Sequence, residues 1–252
     1  MHERPILAAN WKMNHGPSEA RAFMARFLAD YTPHRDRTVV LFPSALAFAA
    51  VAEALRNRPD VLVGVQNIYS EAKGAFTGEN SAAQARDAGA QLVLVGHSER
   101  RHVFGESDEA AGKKVALALG QSLTPMLCVG EKSEQRKAGE TETVVLRQLR
   151  AGLTSVSKSD LAKIMIAYEP VWAIGTGMTA TPGDAAAVHK VIRAELNALS
   201  SSKEVSAAIP ILYGGSVTKE NAGALLDAQN VDGLLVGGAS LDAESWAAIA
   251  ST

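Results

Sequence analysis

The 252-residue sequence contains only one cysteine, Cys128, so the chain can form no disulfide bond within itself. A lack of disulfides is typical of proteins that work in a reducing compartment. The sequence also has no long apolar run near its first residue, because the stretch after Pro5 ends within a few residues. Such a stretch is too short for the core of a signal peptide or for a membrane span. We therefore expect a cytoplasmic protein.

An excess of charge of either sign is also missing, since 25 Lys and Arg residues face 27 Asp and Glu residues. Basic side chains alternate with acidic ones, as in residues 131–137, a pattern that is typical of a solvated helix face. Binding to nucleic acid or to an anionic membrane requires a concentrated basic face. We expect neither of them as a partner.

Patterns that would bind a metal ion or a cofactor are not apparent either. His97, Glu99 and His102 are close in sequence, but no further ligand joins them at a familiar spacing. The first apolar run is not followed by Gly-x-Gly-x-x-Gly, the pattern that binds dinucleotides. The sequence therefore predicts no metal site and no cofactor.

What the sequence does contain is eight short apolar runs, separated by longer segments with helical spacing. Continuous apolar runs are typical of strands that are buried on both faces, as in parallel sheets. Eight strands that alternate with helices predict an α/β protein in which the sheet closes into a (β/α)8 barrel. An open, doubly wound sheet is the alternative, but it would be expected to carry the missing dinucleotide pattern. The runs are residues 6–9, 39–42, 61–65, 92–95, 125–129, 164–167, 209–212 and 233–236.

Nothing in the composition divides the chain, so we predict a single domain over residues 1–252. No linker, low-complexity tract or change of composition interrupts the alternation of apolar runs and helical segments. Ser81, Asp184 and Thr218 stand where three of the helices begin, and each is predicted to be an N-cap.

The candidate functional residues follow the predicted strands, at the end of a parallel barrel where active sites lie. Lys12 follows the first run, His97 the fourth and Glu169 the sixth. The turns at 214–216 and 237–238 follow the last two runs, and their glycines allow backbone N–H groups to approach an anion. The sequence therefore predicts that an amine, an imidazole, a carboxylate and a phosphate-binding cradle converge on one rim.

Taken one at a time, these residues leave alternatives open. Glu169 is equally compatible with a structural ion pair and with a general base, and a lone histidine such as His97 is more often a packing residue. Burial of the Lys12 ammonium requires an anion, which Glu99 or a phosphorylated substrate could supply. Cys128 is predicted to be a small buried apolar residue rather than a nucleophile.

Five segments of the sequence resemble the triosephosphate isomerase family, in the family's order and spacing, across about residues 5–247. The most specific is 167–177, Ala-Tyr-Glu-Pro-Val-Trp-Ala-Ile-Gly-Thr-Gly. The resemblance implies a single (β/α)8 TIM barrel that interconverts dihydroxyacetone phosphate and D-glyceraldehyde 3-phosphate through an enediolate without a cofactor, as in glycolysis and gluconeogenesis. The other four segments are residues 10–14, 96–101, 213–217 and 235–240.

The resemblance also implies a role for each residue at the rim. Glu169 would be the general base, His97 the neutral electrophile and Lys12 the cation that stabilises negative charge. Ser98 and Glu99 would support them, with Glu99 as the ionic partner of Lys12 before substrate binds. The substrate-binding residues that it implies are Asn10, Lys12, Gly175, Ser216, Gly237 and Gly238.

Two further segments gain a meaning only from the resemblance. Residues 74–79 are similar to a loop that inserts into a partner subunit, so Thr77 and Glu79 would lie in a homodimer contact; on its own, this stretch is a surface turn with two glycines. The second segment is similar to a lid that covers the substrate, although an apolar turn packed on the barrel would look the same. The lid residues are Pro170, Val171, Trp172, Ala173, Ile174, Gly175, Thr176 and Gly177.

Three positions depart from the family's usual pattern, and two other functions stay open. Met178 stands where lysine is common, Asn80 where an apolar residue is frequent, and Ser44 where a second proline is common. The first alternative is another phosphate-binding barrel enzyme, either an isomerase of a larger sugar phosphate or an aldolase with Lys12 as its Schiff base. The second is a binding or surface-adhesion protein.

Overall fold

The computed structural model describes residues 2–174 and 180–252. Eight strands pair in parallel, each with the next along the chain, and the eighth pairs with the first, so the sheet is a closed barrel. The predicted (β/α)8 barrel is confirmed. The strands are β1 Ile6–Asn10, β2 Thr38–Phe42, β3 Val61–Val65, β4 Leu92–Val95, β5 Thr124–Val129, β6 Met165–Tyr168, β7 Ile211–Tyr213 and β8 Gly233–Val236.

Alternate residues of each strand serve two different cores, which explains the uninterrupted apolar runs. Ile6 and Ala8 of β1 belong to the cluster that fills the barrel, whereas Leu7 and Ala9 pack in the layer beneath the helices. Successive side chains of a strand point to opposite faces, so both faces of every strand must be apolar here.

Helices on the outside of the barrel cover the outer core. They are α1 Pro17–Asp30, α2 Phe48–Ala54, α3 Ala82–Asp87, α4 Ser98–His102, α5 Asp108–Gly120, α6 Ser133–Lys137, α7 Thr141–Leu153, α8 Pro182–Ser200, α9 Lys203–Ala208, α10 Ala222–Leu226 and α11 Ala243–Ala250. Short 3-10 turns occur at Leu161–Lys163, Val171–Ala173 and Gly238–Ser240. In the part of the chain that the structure describes, no helix is long and apolar enough to cross a bilayer.

One of the three predicted N-caps is confirmed. Ser81 caps α3, with its side chain accepting a hydrogen bond from the backbone N–H of Gln84. The prediction for Asp184 is wrong, because Thr181 caps α8 and Asp184 is the third helical residue that bonds back to it. The prediction for Thr218 is also wrong, because α10 begins only after Asn221.

Candidate active site

The C-terminal ends of the strands surround a cavity of about 490 Å³. Its lining includes the three predicted ionisable groups, Lys12, His97 and Glu169, and both glycine turns. The predicted substrate contacts Asn10, Ser216, Gly237 and Gly238 also line it. The structure therefore brings together residues that are up to 228 positions apart in the sequence, from Asn10 to Gly238.

Glu169 lines this cavity and is only 2% exposed. One carboxylate oxygen is 2.9 Å from Nε2 of His97, and the other accepts a hydrogen bond of 2.9 Å from the backbone N–H of Ser98. Burial raises the pKa of Glu169, but the imidazole, this N–H group and Lys12 together outweigh burial and lower it. The carboxylate is therefore ionised near neutral pH.

Chain geometry after β6 fixes the position of this carboxylate. The backbone N–H of Glu169 bonds the carbonyl of Val129 at the end of β5, and the N–H of Gly214 bonds the carbonyl of Tyr168 at 2.7 Å. A Cβ atom at position 214 would lie 3.0 Å from Cγ of Glu169. The first glycine of the turn thus makes room for the carboxylate side chain, in addition to bordering the cavity.

His97 is the residue that precedes α4, and it is almost fully buried. Its Nδ1 accepts a hydrogen bond of 3.3 Å from the backbone N–H of Glu99, so Nε2 carries the proton that faces Glu169. Burial lowers the pKa of His97, but the charge of Glu169 prevails and raises it in this arrangement. If Glu169 moves away, the main cause of the raised pKa is removed and the neutral ring is favoured.

Gly96 sets the direction of the chain as it enters His97. Its φ of 69° lies in the left-handed region, which glycine adopts at little cost in conformational energy. Glu106 accepts a hydrogen bond from its N–H, and the guanidinium of Arg101 donates to its carbonyl at 2.7 Å. The sequence indicates a role for neither side chain, because each acts through the backbone of Gly96 rather than in the cavity.

Lys12 reaches the cavity from a strained turn after β1. Its φ of 52° is unusual for a residue with a side chain and costs about 1–2 kcal/mol. The turn is held because Asn10 accepts the Lys12 N–H and the amide of Gln66 donates to the Lys12 carbonyl at 2.8 Å. Nζ of Lys12 lies 2.7 Å from the Glu99 carboxylate, so of the two anions considered for it the structure supplies Glu99. Gln66 follows β3, and only its place after a strand could have revealed it.

The described part of the predicted lid, residues 170–174, is held by a buried carboxylate. Glu131 is fully buried, so the prediction of a solvated face over 131–137 is wrong for this residue. It accepts hydrogen bonds from Nε1 of Trp172 at 2.9 Å and from the hydroxyl of Tyr168 at 3.2 Å. Burial and the charge of Glu131 raise the pKa of Tyr168, so the hydroxyl remains a donor. Ile174 lines the cavity.

Some predicted residues fall elsewhere. Gly175, Thr176, Gly177 and Met178 lie outside the described residues. Thr77 and Glu79 do not line the active-site cavity of their own chain but an exposed one, of about 550 Å³, within residues 69–84.

Cys128 is buried in the barrel interior, as predicted, and burial raises the pKa of its thiol. Among residues 2–174 and 180–252, no group of three or more His, Cys, Asp or Glu side chains is placed to hold a metal ion.

The fold and the cavity define a class of protein: a parallel (β/α)8 barrel enzyme whose mouth pairs a carboxylate with an imidazole and an amine beside two glycine turns. The family model for triosephosphate isomerase matches residues 5–252. The chain belongs to the triosephosphate isomerase family, which confirms the resemblance found in the sequence.

Relatives named triosephosphate isomerase match along nearly their whole length. The relative from Roseiflexus sp. (strain RS-1) is 50% identical, and the match covers 96% of this chain and 94% of the relative. The relative from Chloroflexus aurantiacus is 47% identical, with 96% of each chain covered. The relative from Bdellovibrio bacteriovorus is 45% identical, covering 98% of this chain and 99% of the relative. Among the functions left open by the sequence, these similarities favour the isomerase.

Proposed function

We propose that the protein interconverts dihydroxyacetone phosphate and D-glyceraldehyde 3-phosphate, with Glu169 as the base and His97 as the electrophile. The observation that carries this proposal is the buried pair of Glu169 and His97, 2.9 Å apart, in a cavity that also holds Lys12. An aldose–ketose isomerisation needs a base for a carbon-bound proton and a donor for the carbonyl oxygen, and this pair supplies both.

Before substrate binds, both oxygens of Glu169 are occupied by His97 and by the N–H of Ser98. A carbonyl oxygen that enters the cavity competes for the Nε2 proton of His97 and so releases one oxygen of Glu169. The carboxylate then removes a proton from the hydroxyl-bearing carbon and later returns it to the former carbonyl carbon. The carbon that loses the proton and the carbon that receives it both belong to the substrate, so no external acid is consumed.

His97 would donate its Nε2 proton to the carbonyl oxygen and take a proton from the neighbouring hydroxyl. The bond from the Glu99 N–H to Nδ1 favours the neutral ring, since a protonated Nδ1 would have to point at another donor. A neutral imidazole is a weak acid, and it is well matched to an enediolate oxygen that becomes basic only during the reaction.

Lys12 and the glycine turns would bind the charged parts of the substrate. The ammonium already pairs with a half-exposed carboxylate, Glu99, and a phosphate or enediolate oxygen can take over part of this contact. Ser216, Gly237 and Gly238 border the same cavity, and their backbone N–H groups would bind the phosphate dianion. We include Gly175 and Asn10 among the substrate contacts, and residues 170–177 as a lid that excludes water.

The direct test is a coupled assay of the purified protein with D-glyceraldehyde 3-phosphate. We expect turnover, and we expect Glu169→Ala to lower kcat by about two to four orders of magnitude because the positioned base is lost. Lack of turnover by the unaltered protein would disprove the function, whereas turnover that survives Glu169→Ala would disprove only the role of this residue.

We further infer a homodimer that works in the cytoplasm. Large apolar side chains are exposed close to the active-site rim: Met13 is 96% exposed, Leu46 83% and Val103 71%. Large apolar side chains exposed to this extent are candidates for burial in an interface. The loop with Thr77 and Glu79 borders an exposed cavity in which a second copy could bind. The single buried thiol supports a reducing compartment.

Analytical ultracentrifugation tests the dimer. We expect the wild-type protein to sediment as a dimer and Val103→Asp to shift it to monomers, because a carboxylate would be buried without a partner. Ala198→Asp, an exposed position on α8, provides the control and should leave the dimer intact. A wild-type monomer at micromolar concentration would contradict the proposal.

A further inference from the structure

A second polar cavity lies at the opposite, N-terminal rim of the barrel. It has a volume of about 540 Å³ and shares no lining residue with the active-site cavity. Arg4 comes just before β1 and Asp232 just before β8, which places the cavity at the start of the strands. Among the described residues, four cationic side chains line it, Arg4, Lys190, Arg193 and Lys203, and Asp232 is the only acidic one.

Asp232 forms an ion pair with each of the two arginines. One of its oxygens is 2.7 Å from Arg4, and the other is 2.6 Å from Arg193. The second oxygen also accepts a hydrogen bond of 2.9 Å from the backbone N–H of Ile211. One carboxylate charge is thus shared between two guanidinium charges.

The positive charge of Arg193 is only partly balanced by Asp232. Burial lowers the pKa of its guanidinium, Asp232 counteracts this effect, and Arg4 adds to it; the net change is a lowered pKa. Of the five N–H donors of a guanidinium, the described hydrogen bonds of Arg193 use three, to Ser206, Ile209 and Asp232. An additional anion in the cavity would stabilise both arginines and would find donors available.

Lys190 of α8 and Lys203 of α9 face this cavity from the solvent side. Within the described residues, neither ammonium lies within 4.0 Å of a carboxylate. Asn197 and Asn230 add amide groups to the lining. The surplus positive charge therefore lies on both the buried and the exposed side of a recess.

We propose that this cavity binds a small phosphate-bearing anion, independently of the active site. A phosphate group carries up to two charges and several acceptor oxygens, which match two ammonium groups above a pair of guanidinium groups. A carboxylate ligand would carry less charge than a phosphate. A recess also fits a free small molecule better than it fits a partner with a flat surface.

The test follows backbone amide resonances in NMR spectra while inorganic pyrophosphate is added at constant ionic strength. We expect saturable shifts at Ala207 and Asn230, separable from shifts at Ser216 and Gly238 in the active site. Lys190→Gln/Lys203→Gln should weaken the binding seen at Ala207 and Asn230 by tenfold or more and leave isomerase turnover within twofold of the wild type.

Lys158→Gln/Lys163→Gln is the matched control, since it removes the same charge from two exposed lysines that do not line the cavity. It should weaken the binding less than twofold. The proposal is overturned if Ala207 and Asn230 do not shift, or if both double variants weaken binding equally. It is also overturned if pyrophosphate does not bind while vesicles of phosphatidic acid retain the protein through Lys190 and Lys203, because the phosphate would then be a lipid headgroup.

Discussion

The ring of His97 has one nitrogen committed to accepting and the other to donating. Nδ1 accepts from the backbone of α4, and Nε2 points at the carboxylate and into the cavity. A side chain at this position that still donates but cannot exchange protons should bind substrate and fail mainly in the reaction. The distinction between binding and turnover is therefore measurable at a single residue.

We predict that His97→Asn lowers kcat by about 10²–10³-fold with a modest change in KM. The reason is that its hydrogen bond strengthens as charge develops on the substrate oxygen. Steady-state kinetics with both substrates gives the two constants separately. His102→Asn, an exposed histidine of the same helix, should leave both unchanged. A change in KM alone would mean that His97 only binds the ground-state substrate.

At the scale of residues, position after a strand was the informative feature of the sequence. This position indicates Lys12, His97 and Glu169, and all three line one cavity. The sequence does not predict the roles of Gln66 and Glu131, because each acts through contacts with residues distant in sequence. A glutamine after a strand and a glutamate in a charged run carry no distinctive sequence pattern, and only the folded barrel shows their contacts.

Helix starts show how two local rules compete. Asp184 was predicted to cap α8, but Thr181 and Pro182 begin the helix one turn earlier. Asp184 then bonds back to both the N–H and the hydroxyl of Thr181. A hydroxyl three residues before a carboxylate is the pattern of a capping box, and it outranks a lone aspartate. The sequence contains this information. At α10, the side chain of Asn221 accepts a hydrogen bond of 2.8 Å from the backbone N–H of Thr218, and the helix begins after Asn221.

The turn Val171–Ala173 contacts Glu131 twice: the buried carboxylate accepts from Nε1 of Trp172, and the carbonyl accepts from the backbone N–H of Val171. We predict that Trp172→Phe and Glu131→Gln are coupled by about 1–2 kcal/mol in the free energy of unfolding, since they remove the two ends of one hydrogen bond to a charged group. Urea unfolding of the wild type, both single variants and the double variant gives this coupling energy. Effects that add to within about 0.3 kcal/mol would show that the bond does not hold the turn.

For the whole molecule, the count and order of the strands could be predicted because each strand has two buried faces. The predicted bounds differ most at β7, which begins at Ile211 rather than at residue 209. The carbonyl of Ile209 is bound by Arg193 at 2.7 Å, and Pro210 has no N–H to donate. The side chain of Arg193 from α8 thus shortens the strand. The sequence around residue 209 does not predict this contact.

Stability of the whole barrel should depend on pH through His189. This residue of α8 is fully buried, with Nδ1 2.9 Å from the carbonyl of Asn230, and burial lowers its pKa to about 4. Between its ordinary pKa of 6.5 and about 4, the unfolded chain binds a proton that the native state does not. Stability contributed by the neutral ring is therefore complete above this window and falls as the pH is lowered through it.

We predict that this residue accounts for a loss of about 3 kcal/mol in the free energy of unfolding between pH 7 and pH 4. Urea titrations over this range measure the loss, and His189→Gln should show a correspondingly shallower dependence. An equal slope in the variant would exclude His189 as the cause.

At pH 7 we expect one cooperative transition of the assembled protein, as the prediction of a single domain requires.

The pairing of β8 with β1 has a consequence for biosynthesis. The seam of the barrel joins the first strand to the last, and Arg4 is tied to Asp232 across the same seam. While the ribosome is still adding residues, β1 therefore keeps a bare edge of unpaired N–H and C=O groups. Such an edge is open to pairing with other chains. Closure has to wait until β8 has been synthesised and has emerged, and the nascent chain needs protection until then.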